Sequence, residues 1–190
     1  MNKTLKKMII SAVLLSSPLA AELNNYSLIG IETGYSSLDY EQTDSGVITD
    51  DGSINLTHVG LKVGTEIKNY RVFLSTRVFE AKEFDFARTY GMEFQYLFNF
   101  SKYSDMFIGV NAGTINMEYN DKRNDKKITL DNIYFGGDIG FNVRLSEVFD
   151  FEVGARIMSF NSSQRDNTRK YDFDNIVTAY ASIILKFQMN

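Results

Sequence analysis

The sequence predicts an all-β protein, an eight-stranded antiparallel up-and-down transmembrane β-barrel. Three observations carry that prediction. Eight segments of roughly ten residues alternate between two kinds of residue with a period of two. One set of alternating positions carries no charge, whereas the other is dominated by glycine and charged side chains. The connections between segments are alternately very short and long, as in barrels that cross an outer membrane. The chain has 190 residues, which suits one domain of roughly 100–200 residues and leaves no room for an appended catalytic module.

Composition narrows the field further. Fifteen Phe and eleven Tyr stand beside one Pro, one His and no Trp, so a disordered or collagenous chain is excluded. The absence of Cys removes disulfide scaffolds, thiolate zinc sites, cysteine nucleophiles and lipidation through an N-terminal Cys.

Residues 1–21 read as a secretory signal peptide. Lys3, Lys6 and Lys7 precede an apolar run over 8–15, and Ser16, Ser17, Pro18, Leu19, Ala20 and Ala21 follow as a breaker and small residues. The cut falls after Ala21 or Ala20. The alternative, a membrane anchor, needs an apolar stretch of about 20 residues, and this run is well short of it. Removing the leader takes three Lys and no acid, so the net charge goes from −4 to −7, which argues against a nucleic-acid partner. Residues 22–190 form the barrel domain.

The outward positions, strand by strand, are Ile29, Ile31, Thr33 and Tyr35; Val59, Leu61, Val63, Thr65 and Ile67; Val72, Leu74, Thr76 and Val78; Tyr90, Met92, Phe94, Tyr96 and Phe98. The second half adds Ile108, Val110, Ala112 and Thr114; Ile133, Phe135, Gly137, Ile139, Phe141 and Val143; Phe151, Val153, Ala155 and Ile157; and Val177, Ala179, Ala181, Ile183, Leu185 and Phe187. Between them lie Gly30, Glu32, Gly34, Gly60, Lys62, Gly64, Glu66, Arg71, Arg77, Gly91, Glu93, Gln95, Gly109, Asn111, Gly113, Gly136, Asp138, Gly140, Arg144, Glu152, Gly154, Arg156 and Lys186. A soluble lipocalin-like barrel needs an apolar interior, whereas a membrane barrel needs an uncharged belt and a polar lumen. Glycine fits the crowded inside of a small barrel and lipid accommodates Phe, Tyr and Ile, so the charged face points inward.

The connections 68–69, 101–104 and 146–147 are short, while 39–54, 118–130 and 161–175 are long and polar; 81–85 is the short member of the long set. These are expected to be periplasmic turns and extracellular loops, respectively. An even strand count places both chain ends in the periplasm.

With its leader, strand patterns such as Ile29-Gly30-Ile31-Glu32-Thr33-Gly34-Tyr35 and its last strand from Ala179 to Phe187, the chain resembles the small eight-stranded outer-membrane barrels: the OmpA-like transmembrane domain and its OmpX-like and opacity-protein-like relatives. The resemblance covers essentially the whole mature chain. It implies that Phe187, with Leu185, Ile183 and Ala181, is the terminal signal read by the outer-membrane assembly machinery. Gln188, Met189 and Asn190 extend beyond that pattern, and the peptidoglycan-binding domain of longer relatives is missing.

Eight strands leave an interior that side chains fill, so a broad pore is not expected. The luminal charges are Glu32, Lys62, Glu66, Arg71, Arg77, Glu93, Asp138, Arg144, Glu152, Arg156 and Lys186, with a balance of +1. Counting from the short turns predicts the neighbours Glu66 with Arg71, Arg144 with Glu152, Asp138 with Arg156, Glu32 with Lys62, and Arg77 with Glu93. Buried charges persist only when paired, so the expectation is an ionic core; a narrow ion path is the alternative.

Acyl-transfer enzymes occur on this type of fold and need a nucleophile or activated water beside a base. His58 is the sole histidine, and Gly60 stands where a partner Ser or Thr would be needed; it reads as a luminal or rim polar residue. Asp44, Asp50 and Asp51 lack the spacing of a calcium loop. Lys122, Arg123, Lys126 and Lys127, and Arg165, Arg169 and Lys170, stand among acids, in loops able to meet lipopolysaccharide phosphates. The resulting expectation is a non-enzymatic outer-membrane barrel without cofactor or metal. It would serve envelope integrity or surface interaction, with outer-membrane lipids, lipopolysaccharide and a host or surface ligand as partners. A lipid-modifying enzyme and a soluble periplasmic ligand-binding barrel are the alternatives.

Overall fold

Eight strands account for nearly all of the residues described in a computed structural model, which are 25–44, 46–81, 84–121, 126–166 and 169–188. The leader assigned to 1–21 lies outside the described residues. The strands are β1 (Asn25–Asp44), β2 (Val47–Ile67), β3 (Tyr70–Glu80), β4 (Phe84–Asn99), β5 (Ser104–Asp121), β6 (Lys126–Arg144), β7 (Phe149–Asp166) and β8 (Arg169–Gln188). Each pairs antiparallel with the next, and β1 closes on β8. The β2–β3, β4–β5 and β6–β7 turns share one rim with residues 25 and 188; the other four hairpins form the opposite, distal rim. At the first tight turn Ile67 pairs with Tyr70, and Lys68 takes φ 55°, a left-handed backbone that so short a reversal needs.

The long connections are where the structure departs from the sequence reading. The described residues within 39–54, 118–130 and 161–175 are not loops; they continue the strands. Asp39 pairs with Ser53 and Asp44 with Val47, Glu118 pairs with Thr129, and Gln164 pairs with Tyr171. The physical reason is a change of apolar face. In β1 the outward side chains Ile29, Ile31 and Tyr35 are exposed, yet the next large apolar residue, Leu38, is fully buried on the inner face. In β2 Val59 and Leu61 point out while Leu56 and Ile54 point in. In β8 Val177 points out and Ile176 in. The backbone keeps its period of two, but the chemistry crosses the sheet, and a pattern read by apolar residues alone ends there.

The distal part is built differently from the rest. β6 pairs with β7 only from Phe135↔Ser159 to Arg144↔Asp150, and β2 pairs with β3 only from Thr57↔Glu80 to Ile67↔Tyr70. Beyond those points the barrel opens into two sheets, one of β7, β8, β1 and β2 and one of β4, β5 and β6. Their facing sides bury one apolar cluster that includes Leu38, Leu56, Phe79, Phe84, Ile115, Met117, Leu130, Met158, Phe160, Phe173 and Ile176. Their outer faces are polar: Asp39, Ser53, Asn55, Glu80, Asp131, Ser159 and Asp174 are exposed.

Toward the turn rim the arrangement inverts. The outward positions of the belt named above are exposed or half-exposed, with Ile31 at 64% and Phe135 at 66%, and none is charged; Arg88, exposed opposite Val78, marks the distal edge of the belt. Two inner glycines show why small residues sit opposite: a side chain at Gly91 or at Gly113 would collide with the hydroxyl of Tyr134, which approaches to 2.8 Å at the second.

The ionic lumen as candidate functional site

Inside the belt the inward positions of all eight strands bring together seven carboxylates and six cationic side chains. Arg71, Arg77, Arg156 and Lys62 are among the largest fully buried side chains of the described residues. They fill the lumen as Leu and Phe fill an ordinary core.

The half nearer the turn rim centres on Arg71, which donates from Nε to Glu66 at 2.6 Å and from Nη2 to Asp150 at 2.6 Å. Its Nη1 donates to Asn142 at 3.2 Å, and Glu152 lies 3.5 Å away. Lys186 donates to Glu66 at 2.8 Å and stands 3.6 Å from Asp150. Lys62 links the halves, at 2.6 Å from Glu152 and 3.8 Å from Glu32. In the upper half Arg156 bonds Glu32 at 2.7 Å and Glu93 at 3.0 Å and lies 3.4 Å from Asp138. Arg77 bonds the same two glutamates, reaching Glu32 at 2.7 Å. Two guanidiniums thus clamp two carboxylates in a compact square. Tyr180 adds a π face 4.4 Å from the Arg156 guanidinium carbon.

Of the five expected neighbours, the structure brings Glu66 to Arg71, Asp138 to Arg156, Glu32 to Lys62 and Arg77 to Glu93. It separates Arg144 from Glu152: Arg144 reaches Asp105 at 2.7 Å, because it stands opposite Asp150 in the β6–β7 register while Glu152 stands opposite Asn142. Asp105 and Asp150 are the acids that sequence reasoning missed. Both are fully buried and sit nearer the turns than the counted alternation, Asp150 one step beyond Glu152 and Asp105 two steps beyond Gly109, where the period-two continuation would have found them. With them the luminal balance becomes −1 rather than +1 when His58 is neutral.

His58 is buried in the lumen, with Nε2 3.0 Å from Glu32 Oε1 and its ring against Phe79. Lys186, Glu66, Arg144 and Asp150 also line a vestibule of about 560 Å3 at the turn rim, with Tyr26 and Lys68. Arg71, with no exposed surface, lies on its inner side. Phe187 is exposed on the outer face of β8 opposite Ser27. Asp44 pairs with Val47, and Asp50 with Gln42, at the tip of the first hairpin. Among the described residues no group of three His, Cys, Asp or Glu side chains is placed to hold a metal ion. Lys122 and Arg123 lie outside the described residues; Lys126 and Lys127 open β6, Arg165 lies in β7, and Arg169 and Lys170 open β8.

No family model matches the chain, and no curated protein matches it. Solved structures do. Neisserial surface protein A superposes with a TM-score of 0.60 at 14% identity, over 84% of this chain and 97% of that one. The outer membrane protein OprG from Pseudomonas aeruginosa gives 0.58 at 13% identity, over 88% and 97%. At these identities the likeness shows a common fold, the closed eight-stranded antiparallel barrel.

Proposed function

We propose that this chain is a non-enzymatic protein of a bacterial outer membrane, a sealed barrel that presents its distal sheets outside the cell and serves envelope integrity or surface interaction. The observation that carries this is the combination of a charge-free exposed belt with a lumen filled by one continuous network of ion pairs. In water that distribution is inverted; in lipid it is the stable one, because the belt meets hydrocarbon and the charges meet each other. The two structural relatives, a surface protein and an outer membrane protein by name, support the location. On this reading residues 1–21 are the cleaved export signal, Phe187 is the terminal aromatic engaged by the assembly machinery, and Arg165, Arg169 and Lys170 meet lipopolysaccharide phosphates.

The sealed lumen argues against a diffusion pore. Any straight path must displace Arg71, Arg77 or Arg156, each bonded to two or more acids. His58 is held against Glu32 inside the lumen rather than at the lipid rim, which supports a non-catalytic reading. The test combines three readouts on one strain. Planar-bilayer recordings of the refolded protein should show no stable channel, and His58→Ala should leave the lipid A mass spectrum unchanged. Deleting the protein should alter detergent sensitivity or adherence. Steady unitary conductance would contradict the sealed lumen, and a lost or gained acyl chain would put the enzyme reading first.

A further inference from the structure

We propose that the lumen binds one monovalent metal cation between Asp138 and Gln95, an alkali ion taken up as the barrel closes. With Asp105 and Asp150 counted, the described inward side chains of the belt carry seven carboxylates against six bases. One negative charge is therefore left over in a core closed to bulk water, where a carboxylate without a full counter-charge is costly. The distances show which acid carries the excess. Glu66, Asp150 and Glu152 each have a base at 2.6 Å, Glu32 and Asp105 at 2.7 Å, and Glu93 at 3.0 Å. Asp138 has only Arg156 among the described bases, with Nε 3.4 Å away, beyond an ordinary N–H···O bond. That guanidinium is already bonded to Glu32 and Glu93. His58 contacts Glu32 rather than Asp138, so its charge state does not alter which acid is short of a partner.

Both donors that face Asp138, Asn111 at 2.5 Å and Arg156, are directed at Oδ1. Oδ2 accepts no hydrogen bond among the described residues. It lies over Gly109, because the β4–β5–β6 register sets Gln95, Gly109 and Asp138 side by side. A side chain at Gly109 would stand 2.7 Å from that oxygen and 3.0 Å from Gln95 Cγ, so acid and glutamine converge on one spot from the strands on either side. Gln95 has no exposed surface, yet neither polar atom of its amide has a partner. Asn111 Oδ1 is likewise buried and unbonded. One acid and two amides thus offer three oxygens from adjoining positions of the wall, a donor set that a search for clustered acids does not reveal.

The donors fix the class of ion. Oxygen ligands without imidazole or thiolate suit hard cations rather than transition metals. A single carboxylate and an excess of one charge call for one positive charge, and a divalent ion would overcompensate. Leu97 and Phe107 are buried next to the site toward the turns, and Ile115 and Met117 toward the distal rim, so the ion is held rather than conducted.

The test refolds the whole protein into lipid vesicles separately in radiolabelled sodium chloride and in rubidium chloride, then exchanges the buffer for N-methylglucamine chloride. One of the two metals should stay with the barrel in equimolar amount. Urea unfolding at equal ionic strength should have a higher midpoint in that metal's chloride than in N-methylglucamine chloride. Asp138→Asn, which removes the excess charge and keeps the shape, should retain no metal and lose the difference between salts. Gln95→Leu, which keeps the charge and removes a ligand, should retain severalfold less. Metal retained equally by Asp138→Asn would place the ion elsewhere and overturn the site. No retention of either metal, with equal midpoints in all three salts, would overturn the cation altogether; a carboxylic-acid infrared band lost in Asp138→Asn would then assign the missing charge to a proton.

Discussion

The two storeys of this barrel solve the same packing problem with opposite chemistry. Below Thr57↔Glu80 the inside is built around Glu32, Arg77, Glu93 and Arg156, with the small apolar clusters of Leu28, Phe73 and Ile184 and of Leu97, Phe107 and Tyr180 beside them, and the outside is Ile31, Val59, Phe135 and Ile183. Above it the inside is Leu38, Leu56, Met158 and Phe173 and the outside is Asp39, Asn55 and Asp174. What differs is the solvent that each outer face meets. Where lipid surrounds the strands, apolar burial gains nothing from turning inward and the lumen takes the charges; where water surrounds them, the hydrophobic effect fills the interior as in a soluble sandwich.

The sharpest way to break that contrast is to remove the charge at the centre of the lower storey. Arg156→Met should destabilise by about 3–5 kcal/mol, because Glu32 and Glu93 lose a buried partner. Urea titrations in lipid vesicles measure it. A double-mutant cycle with Glu32, bonded at 2.7 Å, should show a larger coupling than one with Asp138, 3.4 Å away. Equal couplings would mean that the square of two arginines and two glutamates is not the energetic centre.

Next in size is the belt. Ile139→Arg or Ile183→Arg, both outward in the lower storey, should cost about 2–4 kcal/mol near the bilayer midplane. Asn55→Arg, outward in the upper storey, should lie within about 0.5 kcal/mol of wild type. A smaller change sharpens the comparison from inside. Ile176→Val removes a methylene from the distal apolar cluster and should cost about 0.5–1.5 kcal/mol. The same change at Ile183 should cost less, because lipid fills the space.

Much of this was legible in the sequence. The eight strands, the two faces of the belt and four of the five neighbouring charge pairs follow from alternation and from counting out of tight turns. The upper storey was not legible, because its strands carry Asp39, Asp51 and Asp131 outward and are interrupted by bulges at Gln42/Thr43, Leu38/Tyr40 and Ser159/Ser162. A polar run with a slipped apolar phase reads as loop. Asp105 and Asp150 were missed for a related reason: each adjoins a turn, where alternation gives way to turn chemistry, although carrying the period of two to the strand ends places both inward.

The chain has no cysteine, which makes the central claim directly measurable by single spin labels walked along the outer face of β1 at positions 29, 31, 33, 37 and 39 in lipid vesicles. Labels at Ile29, Ile31 and Thr33 should collide with oxygen and be shielded from a water-soluble nickel chelate, with the preference reversing by Asp39. Uniform access of the nickel chelate along the whole strand would contradict it, since the outer face would then meet water throughout and the charged lumen would have no lipid to explain it.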